Sequence, residues 1–218
     1  MQDIFYFLCR GICHQIPERS FIIGHQYLPL CARCTGIYIG VFISFLYLLL
    51  RKRWYGNRPP SFGLLCILLF SFFPLIWDGI TSYLNIRQTN NTIRIITGVL
   101  SGSTWPIFIL LIKNYNIYTN NTKPLIKNIF EYIHIISLGC IFSFIIINGY
   151  FLSWNILSIL LTGSIYLLYV QLFIGILKQI FYQLENQQMK KVYVLAHMMA
   201  LNWMIMLSFV QKWIIDFL

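Results

Sequence analysis

Residues 30–50 read LCARCTGIYIGVFISFLYLLL and run straight into Arg51, Lys52 and Arg53. A helix needs about 20 mostly apolar residues to cross a hydrocarbon core about 30 Å thick, and Arg33 is the one charge in this stretch. It predicts a membrane-spanning helix with a polar start and a basic stop. Five further stretches approach the same length, at residues 61–84 (with Pro74 inside), 93–112, 129–147, 154–177 and 192–215. The expected fold class is all-α, a polytopic transmembrane helix bundle of about six spans over residues 30–218. Residues 1–29 form a separate amino-terminal Cys/His segment. There Ile4, Phe5, Phe7, Leu8 and Ile12 suit one side of a short helix lying at the membrane surface and ending before Pro17.

Composition supports this reading and excludes others. The 218 residues are 58% hydrophobic and 10% charged, against roughly 45–50% and about 25% in soluble domains. Aromatic residues at 17% exclude a disordered chain, and six cysteines are too few for a secreted disulfide scaffold. The net charge of +10 does not signal a nucleic-acid partner, because the basic residues sit between apolar runs rather than in one patch. Arg51, Lys52, Arg53 and Arg58 follow the first span, Lys113, Lys123 and Lys127 the third, and Lys178, Lys190 and Lys191 the fifth. Basic loops stay in the cytoplasm, so both termini are expected on the extracytoplasmic side of the cell membrane. Residues 1–15 lack a basic leader, and no signal peptide is expected there.

An ionisable side chain at the centre of a membrane helix costs roughly 2.5–3.5 kcal/mol, so each one asks for a partner or a task. At about 1.5 Å per residue, Cys34 lies about 25 Å from Arg51, Asp78 about 30 Å from Arg58, and Arg94 about 28 Å from Lys113. The depths agree. Cys31, Arg33, Cys34, Asp78 and Arg94 are thus expected in one layer near the outer boundary, beside the amino-terminal cysteines. Gly36 and Gly40, like Gly98 and Gly102, have the four-residue spacing that lets membrane helices approach closely.

Cys31-Ala32-Arg33-Cys34 places two thiols at i and i+3 at a helix start, where the helix dipole favours thiolate. With Cys13, His14 and His25, these thiols form a candidate ligand set for zinc or another transition metal ion, and Cys9 is a further available thiol. Thiol–disulfide chemistry and plain buried cysteines use the same residues. Asp78 and Arg94 could neutralise each other as an ion pair. Alternatively, Arg19, Arg33 and Arg94 clamp an anion such as a lipid headgroup or a small-molecule substrate, with Asp78 as general base or metal ligand. That arrangement would suit a membrane-embedded enzyme acting on a lipid-linked phosphate. Asn91 and Thr97 add hydrogen-bonding capacity or serve as caps. On the opposite side Glu131, His134 and His197 have the residue types of a proton relay, which a small-solute or ion transporter would use; a pair reaching cytoplasmic water is the simpler reading. Cys66, Cys140 and the methionines 198, 199, 204 and 206 read as packing.

Cys13-His14-Gln15, Pro17, Arg19-Ser20-Phe21, Gly24, the run from Pro29 to Gly36 and Tyr38 together resemble the signature of the domain-of-unknown-function 2085 family of small polytopic membrane proteins. Asp78-Gly79, Asn91, Arg94, Thr97-Gly98 and Gly102 are similar to its second block, so the resemblance covers residues 9–105. It implies a site shared by the first three spans and carries over no activity. The Asn-rich loop at residues 85–92 leaves open which of Asn90 and Asn91 takes the family's polar position.

Overall fold

The computed structural model describes residues 2–117, 120–150, 153–181 and 186–217. Helix α1 (Gln2–Arg10) leads through a 3-10 turn (Pro17–Arg19) into strands β1 (Ser20–Ile23) and β2 (Gln26–Cys31). Eight helices follow: α2 (Ala32–Leu50), α3 (Phe62–Phe70), α4 (Phe73–Tyr83), α5 (Asn91–Gly102), α6 (Trp105–Asn114), α7 (Ile129–Ile147), α8 (Trp154–Ile180) and α9 (Asn186–Phe217). Among the described residues, six helical stretches are long and apolar enough to cross a membrane: Ala32–Leu50, Phe62–Tyr83, Asn91–Asn114, Ile129–Ile147, Trp154–Ile180 and Met189–Ile214. The fifth and sixth outrun the apolar segments that announce them, because Lys178, Lys190 and Lys191 continue the helices with their charged ends free to reach water. Phe62, Phe70, Trp77, Ile141, Phe144, Ile159 and Phe209 stand exposed around the bundle. A soluble monomer rarely carries so much contiguous apolar surface; hydrocarbon accepts it. The protein is an integral, multi-pass membrane protein.

Two spans are broken, each at a proline. Pro74 stands in the first turn of α4 and Pro106 in the first turn of α6, where the missing N–H is least costly. The breaks are joined by hydroxyl groups. Ser71 Oγ lies 2.7 Å from Thr104 Oγ1, which lies 2.8 Å from Tyr132 Oη. Ser71 also donates to the Leu68 carbonyl at 2.6 Å and Tyr132 to the Leu100 carbonyl at 3.2 Å. Side chains thus satisfy backbone groups that water cannot reach inside a membrane.

Helices α2 and α5 form the closest crossing. A Cβ on Gly36 would overlap the backbone of Ile95, one on Gly98 the carbonyl of Arg33, and one on Gly102 the backbone of Ile37. The two glycine pairs therefore face each other, as their spacing predicts. At one end of the bundle the basic loops knit together: Asn57 N and Arg58 N donate to the Lys123 carbonyl, and Asn114 Nδ2 to the carbonyls of Trp54 and Gly56.

The opposite end departs from expectation. Helix α1 forms, but its apolar side packs on the bundle: the Phe5 ring is 5.8 Å from that of Trp154 and Phe7 is 5.3 Å from Phe209. Cys9 is fully buried, its Sγ 3.5 Å from Thr162 Oγ1. Residues 20–31 are not plain loop; they form an antiparallel hairpin pairing Ser20 with Cys31 and Ile23 with Gln26. Gly24 and His25 turn it, both with positive φ (55° and 67°), as the twist-matched two-residue hairpin turn requires.

Candidate metal centre and arginine pocket

The hairpin delivers Cys31 to the first residue before α2, and the chain before it bends Cys13 back to meet it. Gln15 holds this bend. Its φ is 52°, and its Nε2 donates to the carbonyls of Tyr6 at 2.7 Å and Pro29 at 3.0 Å, tying α1 to β2. Cys34 lies one helical turn inside α2, with its Sγ 3.8 Å from the Ile12 carbonyl. The sulfurs of Cys13, Cys31 and Cys34 all fall within 4.8 Å of one another. Around a tetrahedral zinc with Zn–S bonds of about 2.3 Å, sulfurs stand about 3.8 Å apart. Three soft donors already gathered that closely fit such an ion after a small contraction.

Hydrogen bonds polarise the cluster. Bonds from the Cys13 and then the Cys34 thiol hold Cys31 well below the usual thiol range; the same bond to Cys31, reinforced by burial, pushes Cys13 up. Cys13 Sγ in turn receives the backbone N–H of Cys31 at 3.1 Å and of Gln15 at 3.5 Å. Amide donors of this kind favour negative charge on sulfur.

Neither histidine belongs to the thiol cluster. His25 sits exposed at the hairpin tip, six residues and so about 20 Å along β2 from Cys31; the turn that it helps build carries it away. His14 is exposed and lines a neighbouring pocket with Arg19, Cys31, Arg33, Tyr83 and Arg94. Cys9 faces the core. Of the five residues expected as ligands, the structure brings the three thiols together and places His14 at the neighbouring pocket.

Asp78 is 1% exposed, and both of its carboxylate oxygens are occupied. One accepts from Arg33 through Nε (3.1 Å) and through a shorter contact with Nη2. The other accepts from Arg87 Nη2 at 2.9 Å and Thr89 Oγ1 at 2.8 Å. Asp78 pairs with Arg33 and Arg87 rather than with Arg94, so the ion-pair alternative is met by other arginines. Helical rise sets depth, whereas direction around each axis decides the partner. Arg87 and Thr89, which sequence reasoning missed, come from the loop after α4. Their signal was an arginine within reach of the buried acid.

Arg94 is held differently. Its Nη1 donates to Asn91 Oδ1 at 2.9 Å, while its buried Nε has no partner among the described residues. Asn90 is the cap of α5, accepting from Ile93 N at 2.8 Å, so Asn91 is the asparagine that faces the polar layer. Asn91 Nδ2 also donates to the Glu18 carbonyl at 3.4 Å, and Arg19 lies 5.5 Å over the Tyr83 ring.

The groups proposed for a proton relay do not converge. Glu131 lies 2.5 Å from Arg53 Nη1 and 3.8 Å from Arg51. The His134 ring lies tilted at 5.9 Å from that of Tyr47, and His197 Nδ1 is 2.6 Å from Tyr166 Oη.

Comparison with known proteins centres on the same region. Residues 13–108 match the family model described as predicted membrane protein DUF2085. Over 93 residues the chain is 40% identical to an uncharacterized protein of Methanothermobacter thermautotrophicus, an overlap covering 43% of this chain and 79% of that protein. Over 99 residues it is 37% identical to one from Methanocaldococcus jannaschii, covering 45% and 62%. No solved structure matches. The matched interval runs from Cys13 through the hairpin and the first two spans into the third.

Proposed function

The chain belongs to the DUF2085 family of predicted membrane proteins, and we propose that it holds a transition metal ion, zinc by preference, on Cys13, Cys31 and Cys34. The observation that carries this reading is the approach of three sulfurs, brought from two separate segments, to within 4.8 Å of one another. Thiolates are the donors that zinc prefers. Three protein ligands leave a fourth position, and the pocket lined by Cys31 and His14 is the direction from which water or another ligand would complete it. A zinc ion there would cross-link the amino-terminal segment to α2 and, with its fourth position open, supply Lewis acidity at the pocket wall.

The full chain, purified in detergent without chelator, is expected to carry about one metal ion per protein by elemental analysis. Cys31→Ser combined with Cys34→Ser is expected to abolish that stoichiometry. Metal-free wild type, or retention of the ion by the double variant, would overturn the proposal. A second reading is favoured by the same close approach of three free thiols: a disulfide switch. It predicts a two-hydrogen mass loss on mild oxidation, localised to peptides containing Cys13, Cys31 or Cys34, in protein that never held metal.

A further inference from the structure

The thiol cluster accounts for three cysteines but not for the guanidiniums massed beside them. Arg33 from α2, Arg94 from α5 and Arg19 from the turn before β1 line one pocket with His14, Cys31 and Tyr83. Arg33 and Arg87 share Asp78. Among the described residues, neither Arg19 nor Arg94 pairs with a carboxylate. Of the three guanidiniums that line the pocket, Arg33 is thus matched by Asp78, which it shares with Arg87 outside the lining. Those of Arg19 and Arg94 leave two positive charges in the pocket wall without a carboxylate among the described residues.

Arg94 supplies an independent sign. Its Nε–H is buried and has no partner among the described residues, although its Nη1 is anchored on Asn91. Buried donors, above all on charged groups, are normally satisfied; one left open on a pocket-lining guanidinium points to an acceptor from outside the chain. The surroundings are held in place: the bond from Asn91 to the Glu18 carbonyl ties the Arg19 turn to α5, and Tyr83 lies beneath the Arg19 guanidinium. The pocket has a volume of about 20 Å³, room for about one water-sized atom. One oxygen of a tetrahedral anion fits inside while the remainder stays at the mouth.

We infer that this pocket binds a phosphate-class dianion, one oxygen lodged among Arg19, Arg33 and Arg94 and the others at the opening. Two unmatched positive charges call for a doubly charged ligand, and planar guanidinium forks suit phosphate oxygens. Free phosphate and a phosphomonoester lipid headgroup present this chemistry equally. The inference goes beyond the metal reading and does not need it.

The test uses the full chain in nanodiscs. Inorganic phosphate is titrated into phosphatidylcholine discs at constant ionic strength, followed by thermal shift and phosphorus NMR; matched discs contain phosphatidic acid instead of added phosphate. Saturable stabilisation by inorganic phosphate identifies a soluble source, and stabilisation confined to phosphatidic acid identifies a headgroup. Arg94→Gln is expected to weaken either by about tenfold or more. Should that variant fail to purify as a single species, Arg19→Gln is held to the same threshold. No saturation with either probe in the wild type, or wild-type affinity in the variants, overturns the inference. Metal content measured on the same samples keeps the two ideas apart: phosphate binding without metal removes only the metal centre, and metal without phosphate removes only the pocket's ligand.

Discussion

Removing the carboxylate of Asp78 would strand the guanidiniums of Arg33 and Arg87 at the end of two spans. Taking one partner from a buried pair typically costs about 3–5 kcal/mol, far more than the pair contributes against an apolar substitute. Asp78 is 1% exposed, but Arg87 remains 44% exposed and can turn to water, so Asp78→Ala is expected to destabilise by about 3 kcal/mol, the lower end of that range. Denaturant unfolding in detergent reads this directly; a loss below about 1 kcal/mol, the ordinary level for surface ion pairs, would show that the carboxylate is not structural. At this scale the residue types were legible in the sequence and their pairings were not. Depth follows from a fixed rise per residue, which is why Cys31, Arg33, Asp78 and Arg94 were placed in one layer. The partner of Asp78 depends on rotation about α2 and on a loop whose conformation no periodicity describes.

Between elements, the α2–α5 crossing is where packing reaches the site. Gly98 lies against the carbonyl of Arg33, and Gly36 against the backbone of Ile95, next in sequence to Arg94. A methyl group at Gly36 meets backbone, which cannot rotate aside, so the helices must separate. Gly36→Ala is expected to destabilise by about 1–3 kcal/mol, the usual range for overpacking, and to lower metal content as α2 shifts against the hairpin. Gly63→Ala, where an added Cβ touches nothing within 4 Å, is the control: it should leave metal content unchanged and cost no stability, helix propensity favouring Ala there by up to about 1 kcal/mol. Equal effects at the two positions would show that helix propensity rather than close approach governs. The six spans and the glycine faces were readable because length and four-residue spacing are local signals. The hairpin was not, since strands of four and six residues are too short for alternation to identify. Its two-residue Gly24-His25 turn was the available clue, and its placement depends on a distant contact, Trp154 Nε1 donating to the Tyr27 carbonyl at 2.8 Å.

Across the whole molecule the charges divide between the two ends, and the division serves different purposes. Arg51, Arg53, Lys123 and Lys127 gather at one end, where loop hydrogen bonds and the Glu131 bridges hold them. Arg19, Arg33, Arg87 and Arg94 gather at the other, beside the thiols. The first group are loop cations of the kind retained in the cytoplasm, whereas the second are fixed by a buried acid and a pocket and say little about topology. The excess of loop cations therefore predicts that the thiol and arginine end faces outward, together with both ends of the chain. In a bacterial host, alkaline phosphatase fused after residue 218 should be active and green fluorescent protein fused there should stay dark. Fusions after Arg53 should show the reverse. The opposite pattern would place the thiols in a reducing compartment, where cytosolic zinc rather than an extracytoplasmic ion would be the metal within reach, and would locate a phosphate ligand among cytoplasmic phosphoesters.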